Sequence, residues 1–282
     1  MNKSDLDSQI FLMVKEEKFQ SRVGFPDRLL ATTEEYPTGT VAVCLDPHGN
    51  PTFDIRKMVA WDYIPWSPDL EQLAHKADVV CFGSLSQRSS VSRNTILNFL
   101  DHTGPSCIRI FDINLRNPYP DSEVLFTSLK KANVLKINAD ELIYLSDLLK
   151  LKDNTPDLLS EILRKFGLHL IVLTLGDKGS ILASNDGIVC CPCFPVDVHD
   201  SVGAGDSFSA VIAMGLLRGM PLDKMNSTAC RIASYICSQP GAMVRLPMHL
   251  VQAVANWHMS SFDKGPKAQT PCQLLKHKCV ME

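Results

Sequence analysis

Short apolar runs alternate with helical patterns between residues 79 and 191, and this alternation constrains the fold more than any other feature. Runs such as Val134–Ile137 and Leu170–Thr174 are too short for helices and contain the branched residues that strands favour. The longer segments between such runs have helical periodicity. Strands that alternate with helices usually pair in parallel and are covered on both faces. The sequence therefore predicts an α/β fold with a mostly parallel sheet flanked by helices.

The same periodicities predict the individual elements and the place of a ligand site. Strands are predicted at 41–45, 52–55, 79–82, 108–112, 134–137, 170–174, 180–183 and 188–191, with a further short strand at 10–14. Helices are predicted at 91–101, 121–131, 138–149, 156–167, 204–219, 222–237 and 247–257. The turn residues inside 41–55 indicate a β-hairpin. Ligands of such sheets bind at the carboxyl ends of the strands, where the polar motifs of this chain fall.

Composition narrows the class of protein. The chain has 282 residues, a net charge of −3 and 45% hydrophobic residues, which is typical of a globular protein without a basic face. We therefore expect no nucleic-acid partner. No apolar run approaches the roughly 20 residues that span a bilayer, and the N-terminus does not resemble a secretory signal. We expect no membrane partner and a cytoplasmic location.

The ten cysteines are scattered, which indicates reduced thiols rather than a disulfide framework. Two groups stand closer together, Cys190, Cys191 and Cys193 in one and Cys272, His277 and Cys279 in the other. Neither group has the spacing of a zinc site, so we do not expect these thiols to bind metal.

A glycine-rich turn at Asp200–Asp206 opens the apolar helical pattern that runs to Gly219. Small residues let the backbone N–H groups of Gly203, Ala204 and Gly205 point outward, and a helix N-terminus adds partial positive charge. Asp206 would then stand beside a bound anion, where it could accept a proton from a hydroxyl that attacks a phosphate. The same turn is also compatible with a simple cap of a core helix.

Four other motifs stand at predicted strand ends, and each has a structural alternative. Asp112, Asn114 and Arg116 follow one strand and suit a hydroxyl-rich or anionic substrate, or a structural ion pair that fixes the loop. Asn138 and Glu141 suit a helix cap, or a water shell on Mg²⁺. The remaining two, at 83–88 and 174–179, are compatible with substrate and nucleotide contacts or with ordinary turns. The chain has neither a GxGxxG after a strand nor a Walker A motif, which argues against nicotinamide dehydrogenases and P-loop enzymes.

These motifs occur together and in this order in one family. The chain resembles the PfkB, or ribokinase-like, carbohydrate kinases, and most closely their fructokinase-like branch. The segments that carry the resemblance are Tyr36–Thr40, Cys81–Arg88, Phe111–Arg116, Asn138–Glu141, Thr174–Gly179, Asp200–Asp206 and Ser238–Ala242. The resemblance covers about Tyr36 to Pro247 and implies a ribokinase-like α/β sandwich with a small β lid at about 40–55. It also implies ATP-dependent phosphorylation of a sugar hydroxyl, most closely of the fructokinase type.

The resemblance further implies a role for each matching residue. Asp206 would be the base, and Gly203, Ala204 and Gly205 would form the anion hole for the γ-phosphate. The acceptor sugar would be bound by Gln87, Asn114 and Arg116. The nucleotide side would comprise Asn138, Glu141, Thr174, Gly176, Gly179 and Cys230, with Glu141 serving Mg²⁺ through water. A monovalent-cation loop, suited to K⁺, would comprise Asp200, Ser238 and Gly241. Cys230 departs from the Asn or His of many relatives.

The N-terminal part departs from the family pattern. The sugar-binding acid and the Gly-Gly-x-x-x-Asn segment are not found in residues 1–35. We therefore expect a kinase domain at 36–258 that is incomplete at its N-terminus, a divergent segment at 1–35 and a tail at 259–282. One alternative is a truncated, non-catalytic relative that retains a nucleotide site. The hairpin at 40–55 is compatible with pairing of two copies and equally with a flap on a monomer.

Overall fold

The computed structural model describes residues 11–13, 32–45, 51–116, 121–152, 154–241 and 244–255. These residues form two compact units. The first comprises the described residues up to Arg109 together with 115–125, and the second comprises 110–114 and the described residues from Phe126 onward. The division falls within one strand and one helix of the chain.

The first unit contains two antiparallel strand pairs and two helices. Strand β1 (Phe11–Met13) pairs with β4 (Val79–Gly83), and β2 (Val41–Leu45) pairs with β3 (Pro51–Ile55) in the register Val41 to Ile55. Helix α1 (Pro68–Lys76) precedes β4, and α2 (Ser90–His102) follows it. The predicted hairpin at 41–55 is therefore present as a strand pair, while the residues of its turn, 46–50, lie outside the described part.

The second unit is built on the strand order β5-β6-β7-β8-β9. Its strands are β5 (Ile108–Asp112), which begins in the first unit, β6 (Val134–Asn138), β7 (Leu170–Thr174), β8 (Ser180–Ser184) and β9 (Gly187–Cys191). Strands β5, β6 and β7 run parallel, and β8 and β9 add antiparallel pairs. The helices are α3 (Ser122–Lys131), whose first turn belongs to the first unit, α4 (Ala139–Leu149), α5 (Thr155–Phe166), α6 (Ala204–Leu217), α7 (Leu222–Cys237) and α8 (Met248–Ala255).

Local signals explain where these elements begin and end. Strands β6 and β7 each bury four consecutive residues, as expected of strands covered on both faces. Helix α5 begins after Asn154, whose side chain accepts the N–H of Asp157, and it ends at Gly167 with φ of 65°. Leu158 and Ile162 of α5 are fully buried, so one apolar face of the helix anchors it in the core.

The helix α1 was missing from the elements expected from the sequence. It is capped by Ser67, whose hydroxyl accepts the N–H of Leu70, and it has a proline as its first residue. A serine followed by a proline is a helix start signal, so this helix was readable from the sequence. Helix α6 ends at Leu217 rather than at 219 because Gly219 takes a left-handed conformation with φ of 62°.

Some of the segments about which the sequence makes predictions lie outside the described residues. They are most of the segment 1–35, the tail at 259–282 and the last residue of the 238–242 motif. Within the described part, no helix combines the length and the apolar character needed to cross a membrane.

The turn between β7 and β8 generates a first prediction, because its two glycines have different surroundings. Both have positive φ, 60° at Gly176 and 105° at Gly179. A Cβ at Gly179 would overlap the carbonyl oxygen of Cys191 and lie 2.8 Å from the backbone nitrogen of Cys193, whereas a Cβ at Gly176 would meet nothing. We expect Gly179→Ala to lower the free energy of unfolding by about 3 kcal/mol, because backbone atoms cannot yield easily.

Gly176→Ala is the matched control. It has the unfavourable φ without the overlap, so we expect a loss of about 1 kcal/mol. Urea unfolding followed by circular dichroism would measure both variants. Equal losses of unfolding free energy in the two variants would show that the close approach of Gly179 to Cys191 does not prevent a side chain at position 179.

Candidate active site

The glycine-rich turn at 200–206 forms the N-terminus of α6. Gly203 precedes the helix with φ of 88°, a left-handed conformation that side chains rarely adopt, and the N–H of Ser207 closes the first turn on the Gly203 carbonyl at 2.9 Å. Gly205 is exposed and Asp206 is half-buried in the first turn. The N–H of Ala204 makes a long bond to the carbonyl of Ser201 at 3.4 Å. The first N–H groups of a helix otherwise have no intrahelical acceptor, so this turn can receive an anion.

Three strand ends lie at one edge of the second unit's sheet. Asp112 ends β5, Asn138 ends β6 and Thr174 ends β7. The parallel registers place Asp112 beside Lys136 and Asn138 beside Thr174. The carboxyl ends of parallel strands share an edge, so the structure brings together residues that are up to 62 positions apart in sequence.

Lys136 connects this edge to the glycine-rich turn. Its side chain is buried in the middle of β6, and its Nζ lies 2.5 Å from Oδ2 of Asp112. The same Nζ would be 3.5 Å from a Cβ placed on Gly205, so the ammonium group lies against the first turn of α6. Ser209, one turn further along α6, directs its hydroxyl toward Asp112 at 3.4 Å. Three elements, β5, β6 and α6, therefore meet around one buried charge.

The charge of Lys136 is retained in spite of its burial. Burial alone would lower the pKa of a lysine, but the carboxylates of Asp112, Glu141 and Asp206 outweigh this effect and raise the pKa of Lys136 above its ordinary value. Lys136 is thus a cation at neutral pH, and Asp206 is one of the carboxylates that interact with it. The charge of Lys136 is largely balanced by Asp112, so the attraction for a further anion at this place comes mainly from the N–H groups at the start of α6.

Asn138 and Glu141 form a capping box at the start of α4. The side-chain oxygen of Asn138 accepts the N–H of Glu141, and the Glu141 carboxylate accepts the N–H of Asn138, both at 2.8 Å. Glu141 is buried, while Asn138 is exposed. The structural alternative for this motif is therefore realised, and it leaves the amide of Asn138 at the surface. The hydroxyl of Thr174 bonds to the carbonyl of Ile137 at 3.4 Å.

Cys230 lies in a small buried polar cluster between α7 and β8. Its Sγ is 2.9 Å from the hydroxyl of Ser180, which also bonds to Asn226 at 2.5 Å. The neighbouring Cys191 thiol and burial raise the pKa of Cys230, so it stays a neutral thiol. Only 5% of Cys230 is exposed, so it offers little surface to a nucleotide.

Of the residues expected around a monovalent cation, Asp200 and Ser238 lie close together. The N–H of Asp200 bonds to the carbonyl of Cys237 at 3.1 Å, which brings Asp200 to the residue preceding Ser238. The Asp200 carboxylate accepts the N–H of Val202, and the Ser238 hydroxyl donates to the carbonyl of Tyr235. Gly241 has φ of 79°. The cation itself stays a prediction.

Two of the three expected acceptor residues line a cavity of about 450 Å³ in the first unit. Gln87 is buried and donates to the carbonyl of Gly83, and Arg116 is exposed. Asn114, the third, belongs to the second unit and has φ of 43°. Polar lining residues of this first-unit cavity include Lys57, Asp62, Gln87, Arg88, Arg93 and Arg116.

Two sets of charged residues were not singled out from the sequence. Lys136 interrupts the apolar run Val134–Ile137, and a charged residue inside a buried strand is a local signal of a buried ion pair. Lys57 and Arg93 carry no local signal, because their shared cavity is formed by residues far apart in the chain.

The thiols show one difference from the expectation. Cys190 is disulfide-bonded, whereas Cys81, Cys107, Cys191, Cys193, Cys230 and Cys237 are free. The expectation of a reduced chain is therefore wrong at Cys190. The described residues contain no group of three or more His, Cys, Asp or Glu side chains that could hold a metal ion. Cys272, His277 and Cys279 lie outside the described part.

The N-terminus of α6 thus lies, with Lys136 and Asp206, at the carboxyl edge of the sheet, which is where ligands bind in α/β proteins. The sequence profile of the pfkB family carbohydrate kinases matches residues 24–248. Because this match spans most of the chain, the chain belongs to that family.

Individual relatives agree with the family. An uncharacterized sugar kinase of Pyrococcus horikoshii is 27% identical over 230 residues, which are 79% of this chain and 70% of that protein. A fructokinase of Salmonella typhimurium is 27% identical over 230 residues, 76% of this chain and 72% of that protein.

Solved structures support the fold. A structure of the Pyrococcus sugar kinase matches with a TM-score of 0.66 at 26% identity, over 80% of this chain and 73% of that one. Its complex with ATP matches with a TM-score of 0.61 at 28% identity, over 74% and 68%. The expected fold class, a ribokinase-like α/β sandwich with a mostly parallel sheet, is confirmed.

The buried ion pair generates a second prediction. We expect Lys136→Met to lower the free energy of unfolding by about 3 kcal/mol at pH 7, because Asp112 loses its cation in a partly buried place. A lysine with a raised pKa stabilises the fold fully below its unfolded pKa of about 10.4 and ceases to do so as the pH rises through the folded value. The difference between parent and variant should therefore shrink at pH 11. Urea unfolding at both pH values would measure it.

The double variant Lys136→Met/Asp112→Leu is the control. It removes both charges, so we expect it to recover much of the lost stability, as apolar replacements of buried ion pairs often do. A double variant less stable than Lys136→Met alone would contradict the assignment of the loss to an unpaired carboxylate.

Proposed function

We propose that this protein transfers the γ-phosphoryl group of ATP to a hydroxyl of a sugar, with Asp206 as the general base. The observation that carries the proposal is the first turn of α6, where an exposed Gly205, the buried Lys136 ammonium and the Asp206 carboxylate stand together. Membership of the pfkB family and the ATP-bound structure of a relative support the same reaction class.

The proposed mechanism depends mainly on positioning and charge. The N–H groups at Gly203, Ala204 and Gly205 would bind the γ-phosphate, and the helix N-terminus would favour the negative charge of the transferring group. Lys136 would add a fixed positive charge beside this turn. Because charge on the phosphoryl oxygens must be stabilised as the group moves, a preorganised turn of this kind lowers the barrier.

Asp206 would accept the proton of the attacking hydroxyl. Its place in the first turn of α6 would set its carboxylate near the bound anion, and the carboxylate interacts with the Lys136 ammonium. The oxygen of the hydroxyl would form the new bond to phosphorus while the proton passes to the carboxylate, and ADP would leave.

The nucleotide would be bound by Asn138, Glu141, Thr174 and Gly176. Gly179 and Cys230 would complete this part of the site. The oxygen donors at this edge suit Mg²⁺, which prefers oxygen ligands and keeps several waters. Glu141 would therefore hold the ion through water, and the ion would neutralise part of the negative charge of the phosphates. Carboxylate, hydroxyl and carbonyl oxygens at Asp200, Ser238 and Gly241 likewise suit K⁺.

The finer features are also proposals. We propose a kinase domain at 36–258, with the strand pair β2–β3 as its lid and as a surface through which two copies could pair. Gln87, Asn114 and Arg116 would bind the acceptor. A fructose-type skeleton with a primary hydroxyl is the proposed acceptor, since the Salmonella fructokinase is among the relatives.

A third prediction tests the base. We expect Asp206→Asn to lower kcat by about 10²- to 10⁴-fold, because the amide cannot accept the proton. Affinity for ATP should change little, since the turn keeps its backbone N–H groups. Coupled ADP assays with Mg²⁺, ATP and a panel of sugars would measure turnover, and calorimetry would measure ATP binding.

Asp223→Asn is the matched control, because Asp223 is an exposed acid in the first turn of another helix, α7. It should keep full turnover. Near-normal turnover of Asp206→Asn would exclude this residue as the base. ATP binding by the parent without transfer to any sugar would instead favour a non-catalytic nucleotide-binding role.

A further inference from the structure

The first-unit cavity is lined by more positive than negative side chains. Its cationic residues are Lys57, Arg88, Arg93 and Arg116, and its acidic residues are Asp62 and Asp121. A volume of about 450 Å³ falls within the range of about 300–1,000 Å³ that is usual for small-molecule sites. What the cavity can bind depends on how many of these charges are already neutralised within the protein.

Asp62 and Arg88 neutralise each other. The Arg88 guanidinium donates to both oxygens of the Asp62 carboxylate, at 2.7 and 2.9 Å, and Asp62 is buried. Arg88 also donates to the carbonyl of Arg56 and stacks against the ring of Trp61 at 5.3 Å. This two-point pair forms part of the wall and contributes little net charge to the cavity.

Asp121 is engaged by the start of α3. Its carboxylate accepts the N–H of Glu123 at 3.1 Å and the hydroxyl of Ser122 at 3.4 Å. A carboxylate in this position is stabilised by the positive end of the helix. It is therefore a poor counter-charge for the cations across the cavity.

The other three cations of the cavity, Lys57, Arg93 and Arg116, have a weak carboxylate partner or none among the described residues. Arg93 has Glu123 at 3.5 Å, but 73% of that glutamate side chain is exposed, so solvent weakens the pair. The guanidinium of Arg116 bonds to the carbonyl of its neighbour Leu115 at 3.1 Å. Among the residues that the structure describes, no carboxylate forms an ion pair with Arg116 or with the exposed Lys57. The cavity therefore has a surplus of positive charge.

We infer that the first-unit cavity binds an anionic group of the acceptor, so that the substrate is a sugar phosphate or a sugar acid rather than a neutral sugar. The inference rests on the proposed kinase function and narrows its substrate class. A phosphate or carboxylate would accept hydrogen bonds from Arg116 and Arg93 and receive the charge of Lys57. A neutral polyol would leave these cations uncompensated as it displaced their water.

The test compares one ketose in neutral and charged form with a sugar acid. Turnover with ATP and Mg²⁺ would be measured for fructose, fructose 6-phosphate and gluconate, and binding of the same three compounds would be measured by calorimetry without ATP. We expect at least one charged compound to bind about tenfold or more tightly than fructose, as charge-assisted hydrogen bonds allow. Its affinity should fall as salt is raised.

Two variants assign the preference to the cavity. Lys57→Gln and Arg93→Gln should each weaken binding of the charged compound about tenfold while leaving binding of fructose unchanged. Lys76→Gln, an exposed lysine of the first unit in the last turn of α1, is the control and should change neither. Circular dichroism would show that each variant folds.

The outcomes separate this inference from the proposed function. Preference for fructose 6-phosphate that is lost in the variants supports a phosphate site, and preference for gluconate supports a carboxylate site. Equal or tighter binding of fructose, unchanged in the variants, overturns the inference even if fructose is phosphorylated. Absence of turnover with every sugar contradicts the proposed function, while the binding arm still decides whether the cavity selects anions.

Discussion

The ion pair between Lys136 and Asp112 constrains how three elements of the second unit meet. An ammonium group buried in an apolar strand costs several kcal/mol unless a partner and further favourable charges compensate it, and burial of this kind is rare for lysine. Here the partner comes from β5, the lysine from β6, and the turn that lies against the ammonium from α6. The pair therefore stabilises the fold only when these three elements are correctly placed. The arrangement of the edge where we place phosphoryl transfer is tied to the packing of the core.

The two units present positive charge by different means. In the second unit, the exposed first turn of α6 offers backbone N–H groups, and a single buried lysine supports them. Such donors are fixed in direction and need no side-chain ordering when an anion arrives. In the first unit, the charge stands on long side chains such as Lys57 and Arg116, which are exposed and lose conformational freedom on binding. The fixed N–H groups therefore suit the γ-phosphate, which we propose is bound in every reaction cycle. The flexible side chains suit recognition of one particular acceptor.

Local patterns were readable from the sequence, and long-range pairs were not. The capping box of Asn138 and Glu141 spans three residues, so its geometry follows from helix periodicity, and the strand at 108–112 and the helix at 222–237 have the expected bounds. The contact of Lys136 with Asp112 depends instead on the register of two strands, and that of Cys230 with Ser180 joins residues 50 positions apart. A motif names the residues of such a site, but only the fold determines which side chains meet.

The capping box also shows why a structural and a functional interpretation of one motif can both hold. The N–H groups of Asn138 and Glu141 are satisfied within the box, so the start of α4 is stable without a ligand. The amide of Asn138 stays at the surface, beside the strand end that carries Thr174. Because the box fixes the direction of that amide in advance, a nucleotide contact there would cost little ordering. A cap that needs no ligand is thus a suitable support for a proposed binding residue, and its presence does not argue against one.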